Sequence, residues 1–259
     1  MTMLNKIRQK LGQSLAKYLS RPLPGYTAFS VKSTEKLRQI LQPGDIVLVE
    51  GDTRISVVIK YLTQSTWSHA ALYVGREAGL KNRHGHYCEL IEADLEEGVV
   101  AVPLAKYAEF NTRICRSVGL GEGHRQQVVQ FVTNSLGKSY DLKNVTDLMR
   151  YLLPKPPVPT RFRRRLLAVG SGDPTQAICS TLIAQAYQMV GYPILPIIEH
   201  RPTPYRYSEQ EILHIRHHSL FAPRDFDLSP YFKIIKPTIE EGFDFQKLQW
   251  DEDRRRTTK

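Results

Sequence analysis

Cysteine is scarce in this chain of 259 residues: it occurs only as Cys88, Cys115 and Cys179. So small and odd a number does not make a disulfide framework, and a reducing compartment is the expectation. Cys88 and Cys115 are isolated, no CxxC pair occurs, and His84 and His86 lie close together without further ligands. No metal site and no cofactor are expected on that basis. Long apolar runs are missing too. No window approaches the roughly 18 to 20 apolar residues of a transmembrane helix. The opening MTMLNKIRQKLGQSLAKYL lacks the unbroken apolar core of a signal peptide, so a cytoplasmic protein is expected. There is no internal repeat. Neither spaced zinc-finger ligands nor an aromatic RNA-binding sheet motif is present, which leaves no specific nucleic-acid partner in view. Acidic residues are in deficit, 26 Asp and Glu against 36 Lys and Arg, a formal net charge of +10. That excess favours anionic partners such as a membrane surface or an acidic substrate.

What is there reads as a folded α+β protein. Hydrophobic residues make up 41% and aromatics 9%, which excludes disorder for the bulk of the chain. Leu4, Ile7, Leu11, Leu15, Tyr18 and Leu19 recur at helical spacing, with Lys6, Arg8, Lys10 and Lys17 off the apolar stripe. Segment 1–24 is therefore an amphipathic basic helix, ended by Pro22 and Pro24. It either packs on the domain or lies on an anionic membrane face. PGDIVLVEG is a turn running into a short strand, and ISVVIKYLT reads as a short helix. Further strands are expected in SHAALYVGRE, at 87–93, at 98–103 and at 113–118, with helices at 123–136 and 177–190. Sequential, hairpin-like strands with helices at either end predict a mostly antiparallel sheet. The stretch 154–172, rich in Pro and Arg, reads as an insertion loop, and 192–218 as a Pro-rich passage with a short helix. Residues 236–259 form a charged tail.

Cys179, in AICSTLIAQ, falls in the first turn of the last helix. There the positive helix end and the unpaired N–H groups favour a thiolate and can stabilise an oxyanion. A small apolar residue on a buried helix is the alternative reading. A nucleophilic cysteine needs a base. His84, His86, His124, His200 and His214 sit in polar stretches that read as loops or exposed helix faces, and His217 and His218 lie in a basic run. His69 alone opens an apolar strand, as a base or as a satisfied core imidazole. Glu92 lies inside the apolar strand ELIEA. It either points outward or needs a partner, because an unpaired buried carboxylate costs several kcal/mol. Arg161, Arg163, Arg164 and Arg165 form either a solvated basic loop or a flap that attracts a phosphate or lipid head group.

The succession PGDIVLVEG, SHAALYVG, LIEAD with VVAVPL, GKSYD and ICSTLIAQAY resembles the YiiX/YebB/YaeF-like family of circularly permuted papain-fold cysteine hydrolases, a branch of the NlpC-type superfamily. The likeness runs over roughly residues 40–235, through the late stretch APRDFDLSPYF. It implies a papain-like α+β core in which the histidine strand precedes the cysteine helix and a small antiparallel sheet or half-barrel packs on that helix. Position by position, it implies Cys179 as nucleophile, His69 as base, Glu92 as the residue orienting the imidazole, and Tyr140 of GKSYD as a help to the oxyanion. Asp45 matches a family residue, but capping of the turn explains it. The resemblance implies hydrolysis of an amide or ester through an acyl-enzyme, on a small acylated, peptide or lipid substrate. Lipid-acting acyltransferases share the residue order. A non-catalytic membrane-surface module with a degenerate site is the other reading.

Overall fold

A computed structural model describes residues 14, 17–28, 33–94, 96–138, 178–202, 209–214, 216–240, 242, 244 and 246. In chain order the elements are α1 (Thr34–Ile40), β1 (Ile46–Val49), α2 (Arg54–Thr63), β2 (His69–Tyr73), β3 (Leu90–Asp94), β4 (Gly98–Val102) and β5 (Thr112–Ser117). They continue with α3 (Glu122–Thr133), α4 (Ile178–Met189), β6 (Ile197–Pro202), β7 (Glu209–His214), α5 (Pro223–Leu228), β8 (Phe232–Ile235) and α6 (Pro237–Glu240). A 3-10 turn, Leu104–Tyr107, follows β4. Six strands form one sheet in the order β4-β3-β2-β1-β5-β8, every neighbouring pair antiparallel. The class is α+β, and β2, with the histidine, comes before α4, with the cysteine.

The turn into β1 shows how local sequence sets this up. Gly44 has φ +93°, which suits glycine at the third position of the Gln42–Asp45 turn. Asp45 closes the turn: its backbone N–H donates to Gln42 O at 2.9 Å, and its Oδ2 accepts from Gln42 N at 2.9 Å. Arg116 then donates to both carboxylate oxygens, at 2.8 and 2.6 Å, tying the turn to β5. This is a structural role, as capping chemistry suggests.

Both faces of the sheet are covered. On one, Ile46, Leu48, Ala70, Leu72 and Ile91 pack under α4. That helix presents Cys179, Leu182, Ile183, Ala186 and Tyr187, the spacing of one helical face. Ala70 is fully buried there, and a residue so small lets the helix backbone come close. Leu182 and Ile183, 3% and 1% exposed, each contribute roughly 1.5–3 kcal/mol by burial. On the other face Val47, Val49, Ala71, Tyr73 and Leu90 meet Leu37, Leu104 and Tyr107. Strand alternation sorts neighbours such as Ala70 and Ala71 onto opposite layers.

One expectation is corrected. Residues 192–218 hold no α-helix among those described; β6 and β7 pair antiparallel instead, from Ile197↔His214 to Pro202↔Glu209. Prolines argue against a central strand, but a two-stranded ribbon has only edge strands, where proline is tolerated. His200 and His214 thus lie on strands rather than in loops. The tail also opens with a helix, α6, before passing out of the described residues. Most of the 1–24 segment, with only 14 and 17–19 helical, and all of 154–172 lie outside the described residues. No helix among those described is long and apolar enough to cross a membrane.

Candidate active site

The geometry starts from strand register. Val49 pairs with His69 across β1–β2, and Ala71 pairs with Glu92 across β2–β3. His69 and Ala71 share a face, so Glu92 is the diagonal neighbour of His69 on that face. The imidazole Nε2 lies 3.1 Å from Glu92 Oε2. The β2–β3 ladder stops at Ala71↔Glu92, and beyond it the two strands no longer pair. His69 therefore stands at a fork in the sheet.

Cys179 arrives from the other side. It is the second residue of α4, whose core belongs to the opposite face, and it is 5% exposed. Its nearness is felt at the His69 ring, where the Cys179 side chain helps raise the imidazole's pKa.

Electrostatics hold this cluster charged. Burial disfavours the imidazolium, but the charges of Cys179 and then Glu92 outweigh it, raising His69 to about 10. Glu92 is 1% exposed. Burial pushes its pKa up, yet His69 and Lys106 hold it down at about 2. Two more donors complete the carboxylate. Lys106 Nζ donates to Oε1, and Tyr107 Oη donates to the same Oε2 that meets His69. Burial, followed by the Glu92 charge, raises the Tyr107 phenol well above its ordinary value, so it stays a donor. The Glu92 side chain is thus buried and fully answered.

Lys106 and Tyr107 escape a reading of the sequence. They sit on the 3-10 turn after β4, and only the β3–β4 register, Leu90↔Val102 to Asp94↔Gly98, folds them back over Glu92. The signal available was indirect: a carboxylate in an apolar strand demands donors, and LAKY follows its partner strand. Glu89 fixes that turn, accepting from Leu104 N at 3.1 Å while Arg38 NH2 and Arg76 Nε lie 2.9 and 3.2 Å from its other oxygen.

Cys88 and Cys115 are buried, free and elsewhere, and burial raises both thiols. Tyr140 and Arg161, Arg163, Arg164 and Arg165 lie outside the described residues. Among the described residues no group of three or more His, Cys, Asp or Glu is placed to hold a metal ion.

Known proteins give the following comparisons. The sequence profile of the permuted papain-like amidase enzymes, YaeF/YiiX, matches residues 40–151, which contain His69 and Glu92 and stop before Cys179. No curated protein matches the chain. Among solved structures, the crystal structure of metalloprotein yiiX from Escherichia coli O157:H7 shares 18% identity, covers 75% of this chain and 96% of its own, and superposes with a TM-score of 0.44. Residues 40–151 of this chain are thus similar to the permuted papain-like amidase enzymes, YaeF/YiiX.

Proposed function

We propose that this protein is a cysteine hydrolase that cleaves an amide through an acyl-enzyme, with Cys179 as nucleophile, His69 as base and Glu92 as the positioning residue. The observation that supports this reading is the ring of His69, bound at Nε2 by a fully buried carboxylate and raised in pKa by that carboxylate and by the Cys179 side chain. An imidazole held protonated to about 10 is what an imidazolium–thiolate pair requires of its base. Attack of the Cys179 sulfur on a carbonyl carbon forms a tetrahedral oxyanion. By general helix geometry, the N–H groups of the first turn of α4 are the candidate donors to that oxyanion. His69 then gives its proton to the leaving nitrogen, and the C–N bond breaks. Water enters, His69 takes its proton, the thioester breaks, and the acid leaves.

An amide stands ahead of an ester because the matched family is one of amidases. Acyl transfer to an acceptor other than water needs only that acceptor in the second step. The sequence features that suggested a lipid substrate or a membrane-surface module, the 1–24 helix and the Arg161–Arg165 cluster, lie outside the described residues. The test is acyl-enzyme trapping: a panel of fluorogenic N-acyl amides and acyl esters, quenched in acid and mapped by mass. The expected adduct is a thioester on the Cys179 peptide that vanishes, with turnover, in Cys179→Ala. Turnover that survives in Cys179→Ala would refute the mechanism.

A further inference from the structure

An open cleft of about 580 Å³ lies at the end of the sheet where His69 sits. Glu50 follows the β1 residue that pairs with His69, and Trp67 stands two residues before His69. The far wall is α5. It is tied to the cysteine helix because Ser180, next to Cys179, donates to Phe221 O at 2.7 Å, two residues before α5 begins. The cleft therefore lies at the strand ends next to His69, on the β1–β5 side of the sheet away from Glu92, and its far wall is held to the helix that carries Cys179.

Three cations and two carboxylates line it. Asp227 is taken up: Arg113 NH1 donates to its two oxygens at 2.7 and 2.9 Å, and Trp67 Nε1 donates to Oδ2 at 3.1 Å. Arg113 also lies over the Trp67 ring, 4.9 Å from its centroid. Glu50 faces Lys60 at 3.5 Å and accepts from Asn111 Nδ2 at 2.9 Å. Arg224 is left with one neutral acceptor, Thr63 O at 2.6 Å, and no carboxylate among the described residues. A half-buried guanidinium has five donors in a planar fork, so most of its capacity is open to an incoming oxyanion.

We infer that this cleft is the subsite for an anionic group of the substrate, a carboxylate or a phosphate, held by Arg224 against the Trp67 wall. The assignment rests on the reading of Cys179 and His69 as the reacting pair, and it narrows the substrate class to acylated compounds that carry a negative charge near the scissile bond. A carboxylate would mark a peptide-like substrate and a phosphate a phospholipid-like one.

Binding can be read without turnover. The chain has two tryptophans, so Trp250→Phe leaves Trp67 as the sole emitter. In that background, and again with Cys179→Ala, Trp67 fluorescence is titrated with inorganic phosphate, with an acetyl-dipeptide bearing a free α-carboxylate, and with its neutral amide. A saturable change with at least one anion, and none with the amide, is expected. Arg224→Gln should weaken it by roughly tenfold or more, as the loss of a charge-assisted contact implies, and Arg224→Lys by less. Circular dichroism checks that both variants fold. Which anion binds tells the two sources apart. Equal affinity in a folded Arg224→Gln, equal binding of the neutral amide, or no saturable change with either anion would overturn the assignment. Because the Cys179→Ala arm needs no chemistry, anion binding there together with an inert wild type would sink the hydrolase reading and leave an anion site.

Discussion

Replacing Glu92 by glutamine removes one charge from the centre of the cluster while keeping its shape. The carboxylate is 1% exposed and accepts from His69, Lys106 and Tyr107. A hydrogen bond to a charged group is worth about 1.5–3 kcal/mol net, and stripping one partner from a buried ion pair costs about 3–5 kcal/mol when the survivor stays charged. Here the survivors have exits. The Lys106 side chain is 41% exposed and can turn to water, and His69 can release its proton. The loss of stability for Glu92→Gln should therefore be about 2–3 kcal/mol, read by urea denaturation near neutral pH. The second readout is the imidazole itself. Histidine ring resonances, with His69 assigned from a His69→Gln spectrum, should show the wild-type ring protonated to about 10 and a lower midpoint in Glu92→Gln. Cys179 also raises that ring, so Cys179→Ala should lower the midpoint too. A wild-type ring titrating near its ordinary 6.5, or one unmoved by Glu92→Gln, would refute the coupling.

Three other outcomes are expected. Tyr107→Phe removes one donor but no charge, so stability should fall by about 1.5–3 kcal/mol while the His69 resonance stays raised. Asp45→Asn breaks the bidentate pair with Arg116, whose side chain is 24% exposed; a loss of about 3 kcal/mol in a urea titration, with the Cys179 chemistry intact, would mark it as purely structural. Stability should also fall at both ends of the pH scale. Glu92, lowered from 4.5 to about 2 on folding, contributes stability that is present above 4.5 and lost as pH falls towards 2. His69, raised from 6.5 to about 10, contributes stability that is complete below 6.5 and lost as pH rises towards 10. Thermal melts of wild type and His69→Gln across this range check both flanks; an alkaline flank that persists unchanged in His69→Gln would remove His69 as its source.

How much of this was legible in the sequence depends on which physical signals are local. Cys179 at a helix start, His69 at the entry of an apolar strand and Glu92 inside another are each visible from a few neighbours, because burial patterns and strand alternation are short-range. The mostly antiparallel character of the sheet follows from the same alternation and from turn residues such as Pro43 and Gly44, whereas the β1–β5 pairing is not local. Lys106 and Tyr107 were not legible, since their meeting with Glu92 depends on the register of the β3–β4 hairpin. The fork after Ala71↔Glu92 is likewise a property of where a ladder ends, which no single residue announces. The β6–β7 ribbon was hidden by Pro202 and its neighbours, which suggest a break unless one knows that both strands are edges.

The three free cysteines provide their own control for the central claim. Wild-type protein treated with iodoacetamide near neutral pH, then digested and mapped by mass, reports the reactivity of each thiol separately. Cys88 and Cys115 are buried and raised by that burial, so they should stay unmodified in the folded protein. Cys179 should be alkylated first, at a rate that falls by at least an order of magnitude in His69→Gln, the scale of lost base assistance. Selective alkylation at Cys179 that depends on His69 is what the account predicts. An inert Cys179, or one that reacts equally fast without His69, would contradict it.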